Sequence, residues 1–204
     1  MSVLIVDYNL SNLGSIRRSL EECGASPLVS DDPKTLKTAT RIVLPGVGAF
    51  ADGMANLRQM GWVSALREAV REERIPMLGI CLGMQLLADV GHEGGTVEGL
   101  GLVPGQVRRL EPDDPNTKIP HVGWNEVYRS SGSSLFEGIP DGSDYYFVHS
   151  YHFIPRDREN VLATTPYCNG FASAVGAGSV FGVQFHPEKS GRPGFQILKN
   201  FLRI

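Results

Sequence analysis

Gly79-Ile80-Cys81-Leu82-Gly83-Met84-Gln85 sets a thiol between two glycines at a spacing that suits nucleophilic chemistry. Gly-x-Cys-x-Gly is the thiol counterpart of the Gly-x-Ser-x-Gly elbow, whose sharp strand-to-helix turn lifts the central side chain above a sheet. The glycines leave room for that strained turn. A cysteine at the start of a helix also feels the positive end of the helix dipole, which favours the thiolate that attacks a carbonyl carbon. The same residues suit a buried cysteine at a strand end with glycines packed around it, so its partners must decide.

A thiol nucleophile needs a base, a group to orient the base, and donors for the oxyanion. His186-Pro187-Glu188 offers the first two. In extended chain residues i and i+2 point to one side, so His186 and Glu188 can share a pocket wall. Glu188 can then accept from one imidazole nitrogen and leave the other for the thiol proton. An exposed His-Pro turn is the plain alternative. The Gly46-Val47-Gly48 loop can present backbone N–H groups to an oxyanion, Val47 among them, as can the amide of Leu82 just after the thiol. That loop is too short for a Walker motif and has no lysine, which argues against a phosphate cradle. Of the other histidines, His92 lies in a glycine-rich loop open to solvent, and His121, His149 and His152 suit structural hydrogen bonding.

The elements that must carry these residues follow from the apolar pattern. Val3–Val6 is a continuous apolar run of the kind a doubly covered parallel strand shows, and it ends at Asp7. A helix carrying Ile16 and Leu20 stops at Gly24. Leu28-Val29 predicts a second strand, Pro33–Thr38 a short helix, and Arg41–Leu44 a third strand ending at the glycine loop. Trp62–Glu73 reads as an amphipathic helix with Val63, Leu66 and Val70 on one face, followed by the elbow strand Ile75–Leu78. This alternation describes an open, largely parallel α/β sheet, and ligands bind such sheets beyond the carboxyl ends of the strands. After Gly91 short β-rich runs dominate: Gln106–Leu110, Glu126–Arg129, Tyr145–His149, Val161–Thr165, Phe171–Val175 and Val180–Phe185. They predict antiparallel strands that extend the sheet or add a small one, before a closing helix over Phe195–Leu202.

A chain of 204 residues fits one domain, since single domains run to about 250 residues, and 1–204 is read as such. A net charge of −3 without a basic stripe argues against a nucleic-acid binder. Cys23, Cys81 and Cys168 are widely spaced and odd in number, which suits neither a disulfide framework nor a zinc site and points to the reducing cytoplasm. The start of the chain lacks the basic stretch of a signal peptide. The longest uncharged run, Ile75–Ala88, is broken by Pro76, Gly79 and Gly83, and it is shorter than the ~20 residues of a membrane span.

Together, Gly-Ile-Cys-Leu-Gly-Met-Gln and the distant His-Pro-Glu resemble the class I (triad) glutamine amidotransferases. Pro45–Gly48, Pro120–Val127 and His186–Ser190 narrow the resemblance, over essentially the whole chain, to the glutaminase subunits of imidazole glycerol phosphate synthase. The pyridoxal phosphate synthase type would carry Gly-Gly-Glu-Ser, and the anthranilate synthase type Gly-Pro-Gly-x-Pro, where this chain has Pro-Gly-Val-Gly. The resemblance implies that Cys81 attacks the carboxamide of L-glutamine, His186 shuttles the proton and Glu188 orients His186. It implies glutamine binding by Gly48, Gln85, Ser150 and Tyr151, with neither metal nor cofactor. It further implies a heterodimer with a (β/α)₈-barrel cyclase that consumes the ammonia in histidine biosynthesis, faced by Asn12, Trp124, Tyr146 and Lys189. By sequence alone Trp124 suits a core position. A subunit that keeps the fold but has lost hydrolysis, and a cysteine peptidase with a similar elbow, are the other classes. The intact Cys81, His186 and Glu188 count against the first, and the glutamine-pocket match counts against the second.

Overall fold

The computed structural model describes residues 2–130 and 132–204. Its first half is α/β: β1 (Ser2–Val6), α1 (Leu13–Glu22), β2 (Ser26–Ser30), β3 (Arg41–Gly46), α2 (Phe50–Gln59), α3 (Trp62–Arg71), β4 (Met77–Cys81) and α4 (Leu82–Leu86). The second half adds β5 (Val90–Gly91), β6 (Val97–Glu98), β7 (Gly105–Arg109), β8 (His121–Arg129), β9 (Ser143–His149), β10 (Tyr151–Pro155), β11 (Val161–Thr165), β12 (Phe171–Ala177) and β13 (Val180–Val183), then α5 (Gly191–Arg203). Nine strands form one sheet in the order β2-β1-β3-β4-β13-β12-β11-β8-β9, and β10-β7-β5-β6 form a second.

The large sheet is parallel from β2 through β13 and antiparallel from β12 outward. The second half therefore does both things its short strands allowed. The apolar runs of β1, β3 and β4 are buried because helices cover both faces, and alternation sorts their side chains. Val3, Ile5, Val43, Leu78 and Ile80 pack with Ile16 and Leu20 of α1 and Ile197, Leu198 and Phe201 of α5. Leu4, Val6, Ile42, Leu44 and Met77 pack with Phe50, Met54 and Leu57 of α2 and Trp62 and Leu66 of α3.

Several bounds differ from the sequence expectation. The elbow strand begins at Met77 rather than Ile75 and runs to Cys81 itself, and β3 continues through Pro45 and Gly46. That extension pairs Gly46 with Cys81 in register, so the glycine loop leaves the sheet beside the thiol. Residues 33–38 form a 3₁₀ helix, and α4 is only five residues long. The field at Cys81 is therefore that of a few free N–H groups in a first turn rather than of a long helix. No described helix is long and apolar enough to cross a membrane.

Candidate active site

Cys81 has φ 55° and ψ −111°, a conformation that a side chain adopts only when its surroundings hold it there. The two glycines supply the clearance. A Cβ on Gly79 would lie 2.6 Å from the carbonyl oxygen of Gly83, and one on Gly83 would overlap the carbonyl oxygen of Leu44. The elbow thus packs backbone against backbone, and its thiol, 6% exposed, forms the floor of a pocket rather than a surface point.

His186 follows the end of β13, and its Nδ1 lies 2.8 Å from Oε1 of Glu188. The pairing does not come from extended-chain alternation, as the sequence suggested. Pro187–Lys189 is a 3₁₀ turn that folds Glu188 back under the ring. Ser190 fixes the turn, its hydroxyl donating to the carbonyl of His186 at 2.6 Å and accepting from the amide of Tyr146 at 3.0 Å. With Nδ1–H donated to the carboxylate, Nε2 is the acceptor, and it is buried with no hydrogen-bond partner. Burial alone would lower the imidazole pKa, but the Cys81 thiolate and the Glu188 carboxylate outweigh it and raise the pKa to about 9. Once the thiol has given up its proton, the ring therefore holds it as imidazolium between the thiolate and the carboxylate.

Val47, Gly48, Cys81, Leu82, Gln85, Ser150, Tyr151 and His186 line one pocket of about 340 Å³ at the carboxyl ends of the parallel strands. Every residue expected to touch glutamine or its oxyanion is among them. Leu82 is the first residue of α4, so its N–H has no intrahelical partner. Val47 departs from expectation. Its N–H donates to the carbonyl of Leu10 at 2.8 Å and is not aimed at the thiol. The peptide is held from outside the loop, by the segment that follows β1.

The pocket also holds residues the sequence reading passed over. Glu93 is the one carboxylate in its lining, and its Oε2 accepts from the amide of Phe50 at 2.7 Å. His149 lines the pocket too, donating from Nδ1 to the carbonyl of Tyr151 at 2.8 Å while Nε2 accepts from Nδ1 of His121 at 3.0 Å. Burial lowers both pKa values, to about 3 for His149 and about 4 for His121, so the pair is neutral and structural. His92 is only half-buried and bonds to Gln106 at 3.2 Å, so it is held rather than free in solvent.

Trp124, which its residue type suited to the core, is 58% exposed. It packs edge-on against Tyr146 with ring centroids 6.0 Å apart, and the Lys189 ammonium lies 5.8 Å from the Tyr146 ring. Val122 and Val148, cross-strand partners on β8 and β9, are exposed beside them, with Val47 at the pocket rim. Asn12 is exposed at the N-cap of α1.

An open parallel sheet with a thiol elbow and a histidine–glutamate pair at its carboxyl edge is the arrangement of an amidotransferase. Residues 4–204 match the family model "Glutamine amidotransferase class-I", and the chain belongs to that family. Within it, the chain is 51% identical over 199 residues to "Imidazole glycerol phosphate synthase subunit HisH" of Moorella thermoacetica, covering 98% of this chain and 93% of that one. It is 43% identical over 202 residues to "Imidazole glycerol phosphate synthase subunit HisH 1" of Campylobacter jejuni, covering 99% and 100%. Among solved structures, PurLQS from Thermotoga maritima superposes with a TM-score of 0.78 at 21% identity, over 99% of this chain and 97% of that one. A glutamine amidotransferase, also from Thermotoga maritima, superposes with a TM-score of 0.66 at 22% identity, over 100% and 83%. At such identities both are likenesses of fold.

Proposed function

We propose that this chain is the glutaminase subunit of imidazole glycerol phosphate synthase, hydrolysing L-glutamine through Cys81, His186 and Glu188. The observation that carries the reading is one pocket with the thiol at its floor and, beside it, a buried imidazole whose far nitrogen is tied to a carboxylate. Nε2 of His186 takes the thiol proton, and the thiolate sulfur adds to the carboxamide carbon. The resulting oxyanion is met by the Leu82 N–H and, once its peptide rotates away from Leu10, by that of Val47. The imidazolium returns its proton to the amide nitrogen, the C–N bond breaks and ammonia leaves. Water, deprotonated by the same ring, then cleaves the glutamyl thioester to glutamate.

Gly48, Gln85, Ser150 and Tyr151 hold the substrate, and Glu93 supplies the negative charge that an α-ammonium group calls for. Ammonia passes to the (β/α)₈-barrel cyclase, docked on the face that carries Trp124, Tyr146 and Lys189, with Asn12 a further contact. An exposed tryptophan and a half-buried tyrosine beside the pocket are the anchors an interface of this kind uses. The reading places the protein in histidine biosynthesis, in the cytoplasm.

Cys81→Ala tests the reading. Glutamate production from glutamine should disappear, while the circular dichroism spectrum, cyclase binding and cyclisation driven by added ammonium salts survive. Retained glutaminase activity in that variant would overturn the assignment.

A further inference from the structure

Gln184 is fully buried, yet no step above uses it. β13 runs parallel to β4 with Val183 beside Ile80, and Gln184 is the first residue after β13 while Cys81 is the last of β4. Gly46 pairs with Cys81 from β3, and the side chain of Gln184 reaches the thiol from the end of β13. The amide of Gln184 makes two side-chain contacts: Oε1 accepts from Nε2 of Gln85 at 3.0 Å, and Nε2 donates to Sγ of Cys81 at 3.7 Å.

The direction of these bonds is fixed by a backbone group. The carbonyl of Tyr151 can only accept, so Gln85 must turn its NH₂ toward it, as it does at 2.9 Å. The second hydrogen of that NH₂ faces Gln184, which must therefore present its oxygen there. Its own NH₂ is then left for the sulfur, and a reversal would set two NH₂ groups against each other. A donor aimed at sulfur is a weak partner for a thiol and a stronger one for a thiolate.

We infer that Gln184 is a thiolate-stabilising residue of the active site, its donor locked onto Cys81 by the relay from the Tyr151 carbonyl through Gln85. The inference deepens the proposed function, since the thiolate it supports is the nucleophile of that reading, but its first test measures the thiol rather than glutamine turnover. The other titratable groups facing Cys81 are His186, backed by Glu188, and the buried Tyr8 hydroxyl, which burial first and charge on Cys81 second keep protonated. Neutral His149 and the carboxylate-bearing Glu93 line the same pocket. His186, Glu188 and Glu93 all remain unchanged in the variants below.

Gln184→Met keeps the length of the side chain and removes both polar atoms. The pH at which half of Cys81 reacts with iodoacetamide, followed by mass spectrometry, should rise by about one unit, the scale of a lost hydrogen bond to a charged group. Cys23 and Cys168 in the same samples should keep their wild-type profiles. Gln184→Glu, which can still accept from Gln85 but sets a carboxyl group against the sulfur, should shift the midpoint further. A Gln184→Met profile superimposed on wild type would overturn the inference. A buried substitution can unfold a chain, so the wild-type protein is asked as well. The side-chain ¹⁵N–¹H resonance of Gln184 should move with the same midpoint as Cys81 alkylation and lose that titration in Cys81→Ala. A resonance flat through the alkylation range would equally refute the role. Glutamine turnover that survives in Cys81→Ala would overturn the proposed function, whereas an unshifted Gln184→Met midpoint beside turnover that Cys81→Ala abolishes would overturn only the role of Gln184.

Discussion

Glu188→Gln separates the charge of the orienting residue from its shape. In the structure the carboxylate oxygen is 2.8 Å from Nδ1 of His186, with side-chain exposures of 4% for the histidine and 2% for the glutamate, so the pair is barely screened by solvent. A glutamine keeps an acceptor at that position but gives up the charge. A hydrogen bond to a charged group contributes about 1.4 kcal/mol more than a neutral one. That corresponds to roughly one unit in the His186 pKa and roughly tenfold in a step that passes through the imidazolium. The sign follows from the raised value of about 9. Losing a group that favours the charged ring lowers the pKa, so the alkaline limb of the kcat profile should move down by about one pH unit. His186→Ala, which removes proton transfer itself, should cost about 10²–10⁴. The assay is glutamate release from the complex with the cyclase at saturating glutamine, from pH 6 to 10. Stability supplies a second reading. A folded pKa raised above the unfolded value of about 6.5 contributes stability that is complete below that value and fades as pH rises through the folded pKa. The Tm gap between wild type and Glu188→Gln should therefore be widest at and below neutral pH and close above pH 9. An unmoved alkaline limb, or a Glu188→Gln variant as inactive as His186→Ala, would refute the orienting role.

Trp124→Ala should weaken cyclase binding by about 30-fold, the cost of one interface anchor of about 2 kcal/mol. Because the side chain is 58% exposed, the Tm of the isolated chain should stay where it is. Gly83→Ala drives a Cβ into the Leu44 carbonyl, which belongs to a central strand and cannot yield. The cost should reach the upper end of overpacking, about 3 kcal/mol, seen as a Tm lower by roughly 6–12 °C. If the Leu10–Val47 bond keeps that amide from the oxyanion, the isolated chain should be a poor glutaminase, since one missing oxyanion donor typically costs about 10²–10³ in kcat. Glutamate production should rise when the cyclase docks and again when it carries its ribotide substrate. Equal kcat/KM for the chain, the complex and the loaded complex would rule out gating by that peptide.

The parallel half of the fold was legible because burial on both faces leaves an unbroken apolar run, as in β1, β3 and β4. α2 was missed although Phe50, Met54 and Leu57 recur at helical spacing, because Gly53 interrupts the face that packs on α4 and reads as a turn. β10 was missed because it ends in a proline and is half-exposed, so no pattern marks it. Cys81, His186 and Glu188 could be proposed from residue type, since in the proposed reaction each acts through its own side chain. Trp124 was misjudged by type, yet β8 carried the correction: Val122, Trp124 and Glu126 alternate on one face, and a glutamate on that face marks it as exposed. Gln184 was legible by the same parity, two residues before His186 on the same side of the chain, but a lone amide in an apolar run gives no hint of what it touches. What no pattern could give was the state of the Val47 amide, because its acceptor lies on the loop after β1 and is brought there only by the pairing of β1 with β3. The site is therefore made as much by register as by residue type. Gly46, Cys81 and Gln184 come from three distant segments, and the parallel ladder of β3, β4 and β13 is what brings the glycine loop, the thiol and the amide together.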